Sequence, residues 1–165
     1  MMLMSDRILG SYDGVVPSKG SVDYIEVSWT EAGKRQLRRR TEGGFDLALS
    51  MKRGSYLYHG AIVFKSSDQV IVVSRPRERA LVIRLDGARE PVELMRCAVL
   101  IGHMFGNQHT PIELEGGAIR VPVLTSEDQM TQAIRELGLS GLFLRFDDVQ
   151  LGASRPLVTS HHAHG

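Results

Sequence analysis

The chain has 165 residues, of which 42% are hydrophobic, 24% charged and 6% aromatic. That composition excludes a disordered, collagen-like or membrane-embedded protein and describes an ordinary soluble globular one. Twenty Lys and Arg against nineteen Asp and Glu leave a net charge of +1, too small for bulk attraction to nucleic acid or lipid. The sum hides a division, because residues 1–85 carry 14 basic and 9 acidic side chains while residues 86–165 carry 6 and 10.

One cysteine, Cys97, rules out an intrachain disulfide framework and a thiolate-rich zinc site, and a cytoplasmic location is expected. Residues 1–10 contain Asp6 and Arg7 and lack the apolar core of a secretory signal. No apolar run approaches the roughly 20 residues of a membrane span.

In chain order, short apolar or alternating runs come first: Ile25–Trp29, Phe45–Leu49, Tyr56–Tyr58, Ala61–Phe64, Val70–Ser74 and Leu81–Ile83. Turn residues such as Gly43-Gly44, Arg53-Gly54 and His59-Gly60 separate them, a rhythm that predicts a small all-β sandwich or open barrel. After Arg84 the period lengthens. Pro91 stands at a favoured first helical position, and Val92, Met95 and Val99 with Leu94, Ala98, Ile101 and Phe105 form a broad apolar face ended by Gly106-Asn107. Strand-like runs His109–Leu114 and Ala118–Val123 flank the hairpin signal Glu115-Gly116-Gly117. Ser126 with Gln129 gives a capping-box pattern before Met130, Ala133, Ile134 and Leu137, with Gly138 as a stop. Leu142–Phe146 is a last strand. With Leu81–Leu85 as the first strand, the order is β-α-β-β-α-β, the ferredoxin-like arrangement.

The expected fold is α+β: an N-terminal β domain over residues 1–78, a ferredoxin-like domain over 79–148, and a flexible His-containing tail over 149–165.

Three features could carry chemistry. The tail places His161, His162 and His164 within four residues; imidazoles on an adaptable chain suit nickel, zinc and copper, although a purification-tag remnant would also read this way. His103 and His109 lie six residues apart across a helix end and cannot both ligate from a continuous helix. Read alone, either is more simply a surface histidine. A lone His109 becomes a site if a two-fold dimer brings two copies together. The run Lys34-Arg35-Gln36-Leu37-Arg38-Arg39-Arg40 reads as a solvated basic strand, a docking face for an acidic partner, or an RNA-binding patch of a small adaptor. No G-x-S-x-G, P-loop or H-E-x-x-H motif is present, and Cys97 falls among apolar helix positions, so no enzyme is expected.

Taken together, Trp29-Thr30-Glu31 before the basic run, Leu47–Leu49, Arg53-Gly54-x-x-Leu57-x-x-Gly60, Gly106-Asn107-Gln108-His109 after an apolar helix, and a His-bearing tail resemble the UreE family of urease accessory nickel metallochaperones. The resemblance runs from about Ile25 to the tail, with Gly-Asn-x-His its most specific element. It departs from the family pattern at Ala61, Met104 and Gln108, and His103 falls one residue before a family position. The resemblance implies an N-terminal domain that contacts partners and a C-terminal domain that dimerises. It also implies Ni²⁺ held between protomers by His109, with His161, His162 and His164 assisting by composition; because zinc lies close to nickel in the Irving-Williams order, zinc is expected to bind too. The implied partners are the urease accessory GTPase and apo-urease, with neither nucleic acid nor membrane involved.

Overall fold

The computed structural model describes residues 2–16, 20–85 and 90–152. It divides into two compact units, one ending at Pro76 and rejoined by Gly152, the other running from Arg77 to Leu151.

Among the described residues the first unit holds seven strands: β1 (Met2–Ser5), β2 (Gly10–Ser11), β3 (Ser21–Glu26), β4 (Gln36–Arg40), β5 (Asp46–Ser50), β6 (Ala61–Lys65) and β7 (Gln69–Ser74). They form a three-stranded sheet β1-β5-β4 and a four-stranded sheet β2-β6-β7-β3. β1 pairs parallel with β5, and β3 with β7; the other pairs are antiparallel. Period-two burial places Leu3, Leu37, Leu47 and Leu49 inward from one sheet, where Ile25, Val63, Ile71 and Val73 join them in one core. Asp23 is buried in the same unit, and its Oδ1 accepts the N–H groups of Tyr24 and Gly43, each at 2.8 Å.

Several expected strands shift. Tyr56–Tyr58 forms no strand. The basic run expected as a possible solvated strand is β4, and the strand expected at Ile25–Trp29 begins earlier, at Ser21. β1 and β2, short and weakly patterned, were not expected from periodicity.

The second unit has β8 (Arg77–Leu85), α1 (Pro91–Asn107), β9 (Glu113–Glu115), β10 (Ala118–Pro122), α2 (Glu127–Glu136) and β11 (Leu142–Gln150). Its sheet runs β11-β8-β10-β9 with every neighbour antiparallel, the split β-α-β topology expected from the sequence. β11 continues to Gln150, past the point where the tail was expected to begin. Leu81, Ile83, Ile119 and Val121 point from the sheet into a core with Ile101 and Phe105 of α1 and Met130 and Ile134 of α2. Gly116 and Gly117 both take positive φ between paired Glu115 and Ala118, the two-residue turn their sequence signals. Ser126 caps α2, its side chain accepting from Gln129 N–H at 3.1 Å.

The broad apolar face expected for α1 divides in two. Cys97, Ile101 and Phe105 are buried, whereas Val92, Met95 and Val99 are 61–68% exposed. At 3.6 residues per turn, Val92 and Ile101 fall on opposite sides of the helix, so one sheet cannot cover both.

Candidate metal site at the end of helix α1

The apolar positions of α1 carry it onto the sheet, and its end is closed by its own backbone. Thr110 donates its N–H to Phe105 at 3.0 Å, and His109 donates to Gly106 at 3.0 Å. This six-to-one and five-to-two pair is the Schellman closure, with Gln108 as C-cap and His109 in the left-handed position after it. His109 has φ 53° and is the single non-glycine residue with positive φ among the described residues. Glycine usually fills that position, because a Cβ there costs energy. His109 therefore does not begin a strand, as the run His109–Leu114 had suggested; the left-handed residue turns the chain, and β9 starts only at Glu113.

His109 is exposed at this corner, while Thr110 beside it is buried. Six residues earlier His103, also exposed, has its Nε2 3.1 Å from Asn107 Nδ2. His103 lies on the side of α1 that carries exposed Val92, Met95 and Val99. An imidazole-bearing helix end thus continues an uncovered apolar stripe.

Among the described residues no group of three or more His, Cys, Asp or Glu side chains is gathered closely enough to hold a metal ion. The other expected ligands, His161, His162 and His164, lie outside the described residues. Neutral imidazole is a suitable donor for nickel and zinc, so the donor type fits while one described chain falls short of a full ligand set.

His59, which the sequence reading did not single out, has its Nδ1 engaged by the backbone N–H of Arg75 at 3.2 Å. Arg75 is buried, donating from Nη1 to Tyr56 Oη at 3.1 Å and to the Leu57 carbonyl at 3.2 Å. Cys97 is buried on α1, as a small core residue would be. On the second unit Arg79 donates to Glu127 at 2.6 Å and lies 3.6 Å from Asp148; the Glu127 hydrogen bond leads the causes that raise its pKa. No helix among the described residues is long and apolar enough to cross a membrane.

Fold and site define a class: a β-rich unit joined to a ferredoxin-like unit whose first helix carries an uncovered apolar stripe and has an exposed histidine in the left-handed position just past its end. No family model matches the chain. Curated relatives do match along nearly all of it, and they carry the name "Urease accessory protein UreE". The protein of Yersinia intermedia is 29% identical over 98% of this chain and 75% of its own length. That of Yersinia aldovae is 27% identical over 98% and 74%, and that of Acetivibrio thermocellus 22% identical over 84% of each. The chain is a homologue of the UreE proteins, as its sequence resemblance indicated.

Proposed function

We propose that the chain is a urease accessory protein that captures Ni²⁺ in the cytoplasm and delivers it for assembly of the urease active site, working as a homodimer and not as an enzyme. The observation that carries this reading is His109, exposed and fixed by the Schellman closure at the end of α1, the helix that also carries the uncovered stripe Val92, Met95 and Val99. An uncovered apolar helix face favours association, and a two-fold axis running parallel to α1 through that contact sets the two helix ends side by side. Two His109 imidazoles then share one Ni²⁺, and the tail histidines His161, His162 and His164 complete its shell.

Two core imidazoles leave coordination positions open, which suits a carrier that must release its ion. Zinc, close to nickel in intrinsic affinity, binds the same site. Because ligating imidazole must be neutral, capture weakens in mildly acid solution. On this reading residues 79–148 bind metal and dimerise, residues 149–165 assist capture, and residues 1–78 meet the urease accessory GTPase and apo-urease.

Calorimetric nickel titration of the intact chain, His109→Ala and a chain ending at Pro156 tests the reading. His109→Ala is expected to abolish the tightest site, and truncation to lower stoichiometry or affinity while leaving a site at His109. Unchanged nickel affinity in His109→Ala would overturn the interfacial site.

A further inference from the structure

The basic run at 34–40 is not used by metal capture, and its placement separates its arginines. In the sheet β1-β5-β4, Arg40 pairs with Asp46 and Asp46 with Met2; Arg38 pairs with Ala48 and Ala48 with Met4. Residues directly opposite one another project to the same side, so Arg38, Arg40, Met2 and Met4 share one face. The alternate residues, Leu37, Leu47, Leu49 and Leu3, are the buried ones. Arg39 belongs to that inner side. It pairs with Glu31 and donates from Nη1 to the Arg38 carbonyl at 3.0 Å.

The remaining face is open and amphipathic. Met4 is 70% exposed and Met2 44%, and Arg38 and Arg40 are exposed. Arg40 spends one N–H on the Gly44 carbonyl at 3.1 Å, and one carboxylate, Asp46, stands between the arginine and methionine rows.

We propose that this face of the three-stranded sheet docks an acidic segment of a partner protein, carboxylates on Arg38 and Arg40 and an apolar side chain on Met2 and Met4. Charge complementarity selects the acid. Two exposed guanidinium groups face a single carboxylate, and guanidinium binds carboxylate in bidentate geometry. Methionine, flexible and polarisable, supplies an adaptable apolar contact. A single-stranded nucleic acid is disfavoured because the paired rows of this face carry no aromatic platform for base stacking. Charge at a sheet edge also guards against strand addition, and Arg39 over the Arg38 carbonyl does this; edge protection does not require two exposed methionines on the adjoining face.

The choice of probe rests on the urease reading above. Apo-urease and the urease accessory GTPase are immobilised separately, and the intact chain, the double variant Arg38→Glu with Arg40→Glu, and Met4→Ser are passed over each, with nickel titration of every variant in parallel. The double reversal is expected to weaken binding to one of the two proteins at least about tenfold, and added salt to weaken the intact chain likewise. Met4→Ser is expected to lose about threefold, and all variants to bind nickel as the intact chain does. Undiminished binding by the double variant overturns the proposal. So does failure of the intact chain to bind either protein, or binding of an oligouridine that the reversal abolishes while protein binding persists. Loss of nickel binding in none of the variants, including His109→Ala, with arginine-dependent docking retained, refutes the metal reading and leaves the docking face standing.

Discussion

Thr110 donates its backbone N–H to the carbonyl of Phe105 at 3.0 Å, and this closure fixes His109, the residue before it, at φ 53°. A side chain in that conformation costs roughly 1–2 kcal/mol, part of which glycine would return through the entropy of the unfolded chain. Stability is given up here to place an imidazole at a rigid corner. His109→Gly is therefore expected to raise the melting temperature by up to about 4 °C while removing the tightest nickel site. A melt showing His109→Gly less stable than the intact chain would mean that the ring's own contacts outweigh the strain.

Phe105 supplies both the acceptor for that closure and one of the largest fully buried side chains of its unit. Phe105→Ala is expected to cost about 3–5 kcal/mol and, because the last turn of α1 loses its seat, to weaken nickel capture without touching a ligand. Denaturant midpoints and nickel titration on the same preparation check this. Full nickel affinity in a folded but destabilised Phe105→Ala would show that the helix end holds His109 without its packing.

At the start of α2, Ser126 accepts from Gln129 N–H at 3.1 Å, and Glu127 and Asp128 occupy the first turn. Ser126→Ala leaves that donor to water and is expected to cost about 1 kcal/mol; Ser126→Asp, which keeps an acceptor beside the positive helix end, is expected to cost little. Equal midpoints for Ser126→Ala and the intact chain in urea would remove the cap from the account of α2.

The second unit was legible because each of its elements carries a local signature: Pro91 before α1, the Ser126 cap, Gly116-Gly117 between β9 and β10, and Gly138 at φ 64° after α2. The first unit was less so. β4 is Gln-Leu-Arg-Arg-Arg and has one buried apolar side chain, so its strand identity comes from pairing with β5 across the chain, which no local pattern states. Tyr56–Tyr58 shows the converse, an apolar run whose Tyr56 and Leu57 are buried without strand pairing, the Tyr56 hydroxyl taken by Arg75. At the site, the Gly-Asn-x-His spacing pointed to His109, but the left-handed conformation that presents it depends on bonds reaching back to Phe105 and Gly106. Nor did helical periodicity say which half of α1's apolar surface would be covered.

That uncovered half gives the most direct prediction about assembly. Val92, Met95 and Val99 lie along one side of α1 and are 61–68% exposed, so changing them removes little from the core of a single chain. If two copies meet along this stripe, Val99→Glu places like charges against each other in an apolar contact, where neither can be hydrated or paired. Val99→Glu is expected to melt within a few degrees of the intact chain, to sediment as a monomer where the intact chain is a dimer, and to lose nickel affinity although every histidine remains. Adding Val92→Glu is expected to deepen the effect, since the two positions are separated by about two helical turns on the same side. Sedimentation velocity with and without nickel distinguishes the alternatives. A Val99→Glu protein that stays dimeric and binds nickel normally would place the contact between copies elsewhere and detach the stripe from His109.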